Sequence, residues 1–264
     1  MCTTGENANS DLSVLVLSCD KYKDLWLVFA HYFQAHWGNC PYPVYLLTNE
    51  ESFQHDRIVS LQTGKDTGWS DSLISALNQI ETQYVLFLQE DAFFNLDIDN
   101  GLVVNGLHFL GKLGGTTVKL RPARFPGAPL PDAPSFARIS SHTPYRNGLF
   151  LSIWNRSRLL TYLRPGESAW DFETRAGDRT ESDTGFYSAR HGNFKFIHGV
   201  IKGRWVRSAY HQVLIEIPGY TTSRPIMSAR EESLLNAYIA ARGLFIKIFG
   251  VRIFKAIHKV RWSV

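Results

Sequence analysis

Two adjacent carboxylates, Glu90 and Asp91, end the apolar run "YVLFLQED", and Ala92, Phe93 and Phe94 follow at once. Neighbouring acids repel each other and are costly when partly buried. A divalent cation held against phosphates would relieve that repulsion, and hard oxygen ligands suit magnesium or manganese. A solvated strand end is the plainer alternative. A second constellation is "ESAWDFE", in which Glu167, Asp171 and Glu173 surround Trp170 and Phe172. Aromatic neighbours can raise a carboxyl pKa or stack on a sugar face, which would make Glu173 or Asp171 a general base for an acceptor hydroxyl. The competing explanation is an amphipathic helix start with acids at its N-terminus. In "HGVIKGRW", His198, Lys202 and Arg204 lie among glycines that permit close backbone approach. They offer donors to a diphosphate, and His198 could also ligate a metal. Arg121 and Arg124 in "KLRPARFPG" could steer an anionic donor or acceptor, although loop arginines are commonly just solvated.

The elements that must position these groups follow from periodicity. "LSVLVLSCD" (Leu12 to Asp20) is a buried strand, and "KDLWLVFAHYFQAHWG" is a helix with Asp24 near its start and Gly38 past its end. "PYPVYLLTNE" and "DRIVSLQTG" are two further strands. "GWSDSLISALNQI" is a helix with Ser70 at or near its cap and Leu73, Leu77 and Ile80 on one face. "YVLFLQED" is the fourth strand. This alternation predicts an α/β layer with a mostly parallel sheet. Ligands in such sheets sit at the carboxyl ends of the strands, which puts Ser18-Cys19-Asp20, Thr48-Asn49 and Glu90-Asp91 on one rim. Arg121 to Phe136 holds five prolines and reads as an irregular excursion. "YRNGLFLSIWNRSRLLTYL" gives a strand and then a helix capped by Asn155.

The chain has 264 residues, 44% of them apolar and 13% aromatic, ample for a sizeable core. A net charge of +4 without basic residues concentrated through the body argues against a dedicated nucleic-acid binder. Cys2, Cys19 and Cys40 give neither a disulfide framework nor a zinc spacing, as expected in a reducing cytoplasm. The leader "MCTTGENANSDL" has no secretory pattern, and no run reaches the roughly 20 apolar residues of a membrane span. The tail "ARGLFIKIFGVRIFKAIHKVRWSV" carries Arg242, Lys247, Arg252, Lys255, Lys259 and Arg261 with no acid. As a helix it would be basic and amphipathic, suited to an anionic membrane surface; a docked or dimerising helix is the alternative.

In their order, "SCDKYKDLW", "YPVYLLTNE", "GWSDSLISAL", "YVLFLQEDAFF", "AWDFE" and "HGVIKGRW" resemble GT-A fold glycosyltransferases that use nucleotide sugars. More narrowly, they are similar to bacterial enzymes of capsule, O-antigen and lipopolysaccharide gene clusters, over roughly residues 12 to 210. The resemblance implies a Rossmann-like GT-A domain over 12–225, with a nucleotide-sugar-binding half (12–100) and an acceptor-side half (101–225). A polar leader (1–11) precedes it and a helical, membrane-associating segment (226–264) follows. Ser18, Asp20, Thr48, Asn49, Trp69, Glu90, His198 and Lys202 would bind the nucleotide sugar. Asp91 and His198 would hold manganese or magnesium, weakly, because Gln89 stands where the family's acidic motif begins. Glu173, or else Asp171 or Asp183, would be the base of an inverting transfer to a cell-surface polysaccharide or lipid-linked glycan. The setting implied is the cytoplasmic face of a bacterial inner membrane. A retaining enzyme, or a non-catalytic sugar- or nucleotide-binding subunit, are the alternatives. A nucleotidyltransferase would carry a Gly-rich loop after the first strand, which "LSCDKYKD" lacks.

Overall fold

The computed structural model describes residues 11–123, 127–141, 143, 145–241 and 244–245. It divides into two compact units, Met1–Ile197 and His198–Val264. In the first, β1 (Leu12–Leu17) leads through a 3-10 turn at Asp20–Tyr22 into α1 (Lys23–Trp37), followed by β2 (Val44–Thr48) and β3 (Ile58–Gln62). Then come α2 (Trp69–Gln79), β4 (Tyr84–Gln89), β5 (Ala92–Phe94), α3 (Asn100–Leu113) and β6 (Thr117–Lys119). The remainder comprises β7 (Pro129–Leu130), β8 (Ala133–Arg138), β9 (Ser152–Asn155), α4 (Arg156–Tyr162), α5 (Ala169–Arg179) and β10 (Phe186–Ala189). β11 (Phe196–His198) lies at the division, and β12 (Val200–Ile201), β13 (Arg204–Trp205) and α6 (Arg207–Glu216) belong to the second unit.

One sheet runs in the order β3-β2-β1-β4-β9-β6-β10-β8-β7. The first four strands are mutually parallel, the βαβ arrangement expected from the sequence. β9 inserts antiparallel to both β4 and β6, while β10 is parallel to β6. With β8 antiparallel to its neighbours β10 and β7, only β9 and β8 run against the rest. The sheet is therefore mostly parallel, and β1, β2, β3, β4, β6 and β10 end on one rim. The proline-rich stretch read as an irregular excursion contributes β8 and the two-residue edge strand β7, an edge being where a strand proline such as Pro129 is tolerated.

Leu73, Leu77 and Ile80 of the α2 region, Leu159 of α4 and Phe172 and Ala176 of α5 pack with Phe87, Trp154 and Phe186 in one core cluster. Fully burying a side chain as large as Phe172 contributes about 1.5–3 kcal/mol, and it fixes where α5 sits. Elsewhere α1 meets β5: Tyr32 stacks on Phe93 and Trp37 meets Phe94 edge-on. That explains the return to phenylalanines immediately after the acidic pair. Helix α3 comes so close to β6 and β9 that a Cβ on Gly106 would lie 2.6 Å from Leu120.

In the second unit, β12 and β13 pair antiparallel across Lys202 and Gly203, whose φ values of 51° and 74° suit a type I′ turn. Arg204 binds the Glu231 carboxylate through its two terminal guanidinium nitrogens, and these bonds, with those from Ser228, push the Glu231 pKa down to about 2. Residues 229–241 are helical. The tail cations from Arg242 onward that suggested a membrane-surface helix lie outside the described residues, as do Cys2, Arg124 and most of the leader. Among the described residues no helix is long and apolar enough to cross a membrane.

Candidate functional site

At the rim, the chain leaving β1 is tied to the chain leaving β2. The Asp20 carboxylate accepts from the backbone N–H groups of Asn49 (2.8 Å), Glu50 (2.9 Å) and Glu51 (3.1 Å), and the Asp20 N–H donates to Asn49 Oδ1. Burial works to raise the Asp20 pKa, but these bonds outweigh it and hold the carboxyl below its ordinary value. Ser18 Oγ accepts from Trp26 Nε1 at 2.8 Å. Thr48 Oγ1 and Asn49 Nδ2 are buried with no partner among the described residues. Such orphaned groups cost free energy that a bound polar ligand could offset.

Gln89 ends β4 opposite Leu17 of β1, and Glu90 and Asp91 form the turn into β5. Gln89 is exposed, Glu90 buried and Asp91 half-buried. Burial raises the Cys19 thiol pKa, and the Glu90 charge adds to the rise, so these groups are neighbours. Among the described residues no three His, Cys, Asp or Glu side chains converge to hold a metal. A magnesium or manganese ion at this turn would have to take most of its ligands from phosphate oxygens and water.

Further along the rim, α5 is anchored at its start. Ser168 caps it, and Ser168 and Asp171 form a reciprocal capping box. The Asp171 carboxylate also meets Arg175 at 3.3 Å, and its bonds to Ser168 hold its pKa down. The preceding loop is latched to α2. Gly166 N–H donates to Asp71, Glu167 N–H to Ser70 Oγ, and Ser70 N–H to the Glu167 carbonyl. Trp69 packs on Phe172 with ring centroids 5.7 Å apart. Phe172 points into the core and Trp170 is 59% exposed, which leaves Glu173 half-buried between them in direction.

Burial raises the Glu173 pKa, and Lys119 at the end of β6 opposes the rise. Glu173 Oε1 and Lys119 Nζ lie 3.2 and 3.3 Å from the point a Gly148 Cβ would occupy, so the missing side chain keeps the slot between them open. Lys119 Nζ donates to the carbonyls of Tyr145 (2.8 Å) and Gly148 (3.2 Å). Burial pushes its pKa down to about 8, Glu173 working against the drop and Arg121 adding to it. Tyr145, at a left-handed φ of 57°, sets its ring 6.5 Å from that of Trp170, and both rings are exposed. A carboxylate of raised pKa beside a solvent-facing aromatic pair can accept a hydroxyl proton from a sugar stacked there.

Asp183 is engaged elsewhere. It accepts from Thr116 Oγ1 (2.5 Å), Tyr162 OH (2.6 Å) and Gly185 N–H (2.7 Å), near the start of β6 and thus away from the rim. Burial acts to raise its pKa, yet these donors hold it low, and burial with the Asp183 bond pushes Tyr162 up to about 12. His198 and Lys202 belong to the second unit: His198 ends β11, and Lys202 is exposed in the β12–β13 turn. Sequence reasoning passed over Lys119, Tyr145 and Gly148. The available signal was Lys119 itself, a cation between the apolar Val118 and Leu120 in the β-branched stretch "TTVKL". A cleft of about 420 Å³ lined by Asp11, Thr82 and Arg156 opens at the opposite strand ends, away from these groups.

No protein-family model matches the chain, and no curated protein does. Among solved structures it is similar to residues 1–349 of S. aureus TarS in complex with UDP-GlcNAc, at 15% identity and a TM-score of 0.42, covering 81% of this chain and 68% of that one. A UDP-glucose pyrophosphorylase complexed with UDP-glucose aligns at 7% identity and a TM-score of 0.42, over 71% and 91% of the two chains. A cytidylyltransferase from Leptospira borgpetersenii aligns at 11% and 0.41, over 70% and 76%. Likenesses of this size fix neither the fold family nor the activity.

Proposed function

We propose that the chain is a GT-A type glycosyltransferase, moving a sugar from a nucleoside-diphosphate sugar to a cell-surface polysaccharide or lipid-linked glycan with inversion. Glu173, on α5, carries this proposal: a half-buried carboxyl of raised pKa, beside exposed Trp170 and Tyr145, next to the end of β6 in a sheet whose rim also bears Glu90 and Asp91. The acceptor ring stacks on the aromatic pair and presents a hydroxyl to Glu173. As that oxygen bonds to the anomeric carbon, Glu173 takes its proton, and the bond to the β-phosphate oxygen breaks to release the nucleoside diphosphate. Asp20 shapes the loop after β2 into the donor's cradle, with Thr48 and Asn49 offering unpaired polar atoms. A magnesium or manganese ion at Glu90 and Asp91, when bound, supplies positive charge to the leaving diphosphate. The tail's cations suit an anionic membrane surface on the cytoplasmic side, from their composition alone.

A panel of nucleotide sugars, scored by thermal stabilisation with and without manganese, tests the donor assignment. A donor at one hundred times its Kd stabilises the native state by about 2.7 kcal/mol. Asp91→Asn is expected to abolish manganese-stimulated donor hydrolysis. Stabilisation by a donor that the wild type never hydrolyses or transfers would instead favour a non-catalytic binding subunit.

A further inference from the structure

Arg121, two residues beyond Lys119, has a guanidinium that the fold holds in place but does not satisfy. Its guanidinium carbon lies 5.6 Å from the Phe150 ring centroid and 5.7 Å from that of Phe196, and the two rings meet edge to face. The residue is exposed, yet its packing against the two rings is close enough for burial to lower its pKa. No hydrogen bond or ion pair engages it among the described residues, so its planar set of five N–H donors is presented without an acceptor. Lys119 is close enough for the two charges to affect each other, and it spends two of its three donors on the Tyr145 and Gly148 carbonyls. Glu173 is the one carboxylate whose charge bears on Lys119, and it lies across the Gly148 slot without an ion-pair contact. Glu173, itself needed as the base, thus offsets Lys119 alone, and among the described residues no carboxylate charge bears on Arg121.

We propose that Arg121 and Lys119 form a subsite for an oxyanion carried by the acceptor, so that the enzyme takes a glycan bearing phosphate or carboxylate groups. The inference rests on the glycosyl-transfer function proposed above and specifies its acceptor. Position in the sheet favours the acceptor over the donor's diphosphate. Lys119 and Phe87 both pair with Ser152, so β6 lies two strands beyond β4. At ~4.8 Å per strand that is a lateral offset of about 10 Å from the strand leading to Glu90 and Asp91. A guanidinium resting against two rings loses less freedom on binding than a free one and recognises a planar or tetrahedral oxyanion through paired N–H bonds. The neighbouring aromatic pair takes the sugar ring while the anion fixes its orientation.

The test measures binding of glucose, glucose 6-phosphate and glucuronate to the UDP-loaded full-length protein by calorimetry, for the wild type, Arg121→Gln and Arg121→Lys. The wild type is expected to prefer the two charged sugars by roughly tenfold or more. Arg121→Gln should erase that preference, Arg121→Lys should keep part of it, and the UDP affinity of all three should agree within about twofold. Wild-type indifference to sugar charge overturns the subsite without involving any variant. It is also overturned by an intact preference in Arg121→Gln, or by loss of UDP affinity in place of the preference, which would give the arginine to the donor. Failure of the wild type to bind UDP, GDP, CDP or TDP alike would instead strike at the proposed function, and if another of these binds in place of UDP the same comparison is made with it, so the two failures are distinguishable.

Discussion

Replacing Gly148 by alanine tests whether the slot between Glu173 and Lys119 is a reacting position or merely a packed corner. Gly148 does not have a positive φ, so alanine fits its backbone. The added Cβ would stand 3.2 Å from Glu173 Oε1, 3.3 Å from Lys119 Nζ and 3.3 Å from the Tyr145 carbonyl oxygen. Ordinary contacts are about 3.5–4.0 Å, so each neighbour must recede by a few tenths of an ångström. Two of the three are ends of flexible side chains and can do so. Crowding costs about 1 kcal/mol at the mild end of overpacking, and the Gly→Ala loss of unfolded-state freedom offsets about 0.4–1 kcal/mol. Net stability should therefore change by less than about 1 kcal/mol in urea unfolding. Activity should suffer more, because a 1 Å misplacement of a catalytic group costs about a hundredfold and a few tenths about tenfold. Steady-state turnover with the donor identified by thermal stabilisation is expected to fall about tenfold, with the donor KM little changed. Unchanged turnover in a stable variant would refute a reacting role for the slot. A stability loss above about 3 kcal/mol would show that the contact is structural.

Lys119→Met removes the cation that opposes the rise of the Glu173 pKa, so the acidic limb of the kcat/KM profile should move to higher pH; an unmoved limb would uncouple the pair. The same residue gives the wild type a pH signature in stability. Its native pKa of about 8 lies below the unfolded value of about 10.4, so the unfolded chain binds more protons in that window and stability rises with pH there. The rise should shrink in Lys119→Met. Asp183→Ala strands the donors of Thr116, Tyr162 and Gly185 and should cost about 2–3 kcal/mol in urea unfolding, while the folded fraction keeps its turnover. Because the native Asp183 pKa is depressed, its stabilisation is present above the unfolded pKa and lost as pH falls through the native one.

The parallel half of the sheet was legible because apolar strands and helix periodicity occur there in simple alternation: Leu12–Leu17, Lys23–Trp37, Val44–Thr48 and Tyr84–Gln89 fall where the pattern puts them. Asn155 was legible too, as a cap whose side chain accepts from Arg158 N–H. The insertion of β9 between β4 and β6 was not, since its pairing joins Phe87 and Lys119 to Ser152 over long separations that no local pattern encodes. Asp171 and Glu173 looked alike as letters. Only the helix start separates them, giving Asp171 to Ser168 and leaving Glu173 to the rim. Gly203 looked like a residue for approaching phosphate, and the left-handed turn with Lys202 accounts for it without a ligand. Lys119 was missed because its partners are backbone carbonyls of a distant loop, which sequence spacing cannot show.

Glu173→Gln, compared with the wild type for donor-induced thermal stabilisation and for sugar transfer, tests the central claim most directly. Glutamine preserves the shape of the side chain and removes its basicity. The prediction is unchanged stabilisation by the donor with transfer reduced by about 10²–10⁴-fold. Near-normal transfer by Glu173→Gln would contradict it.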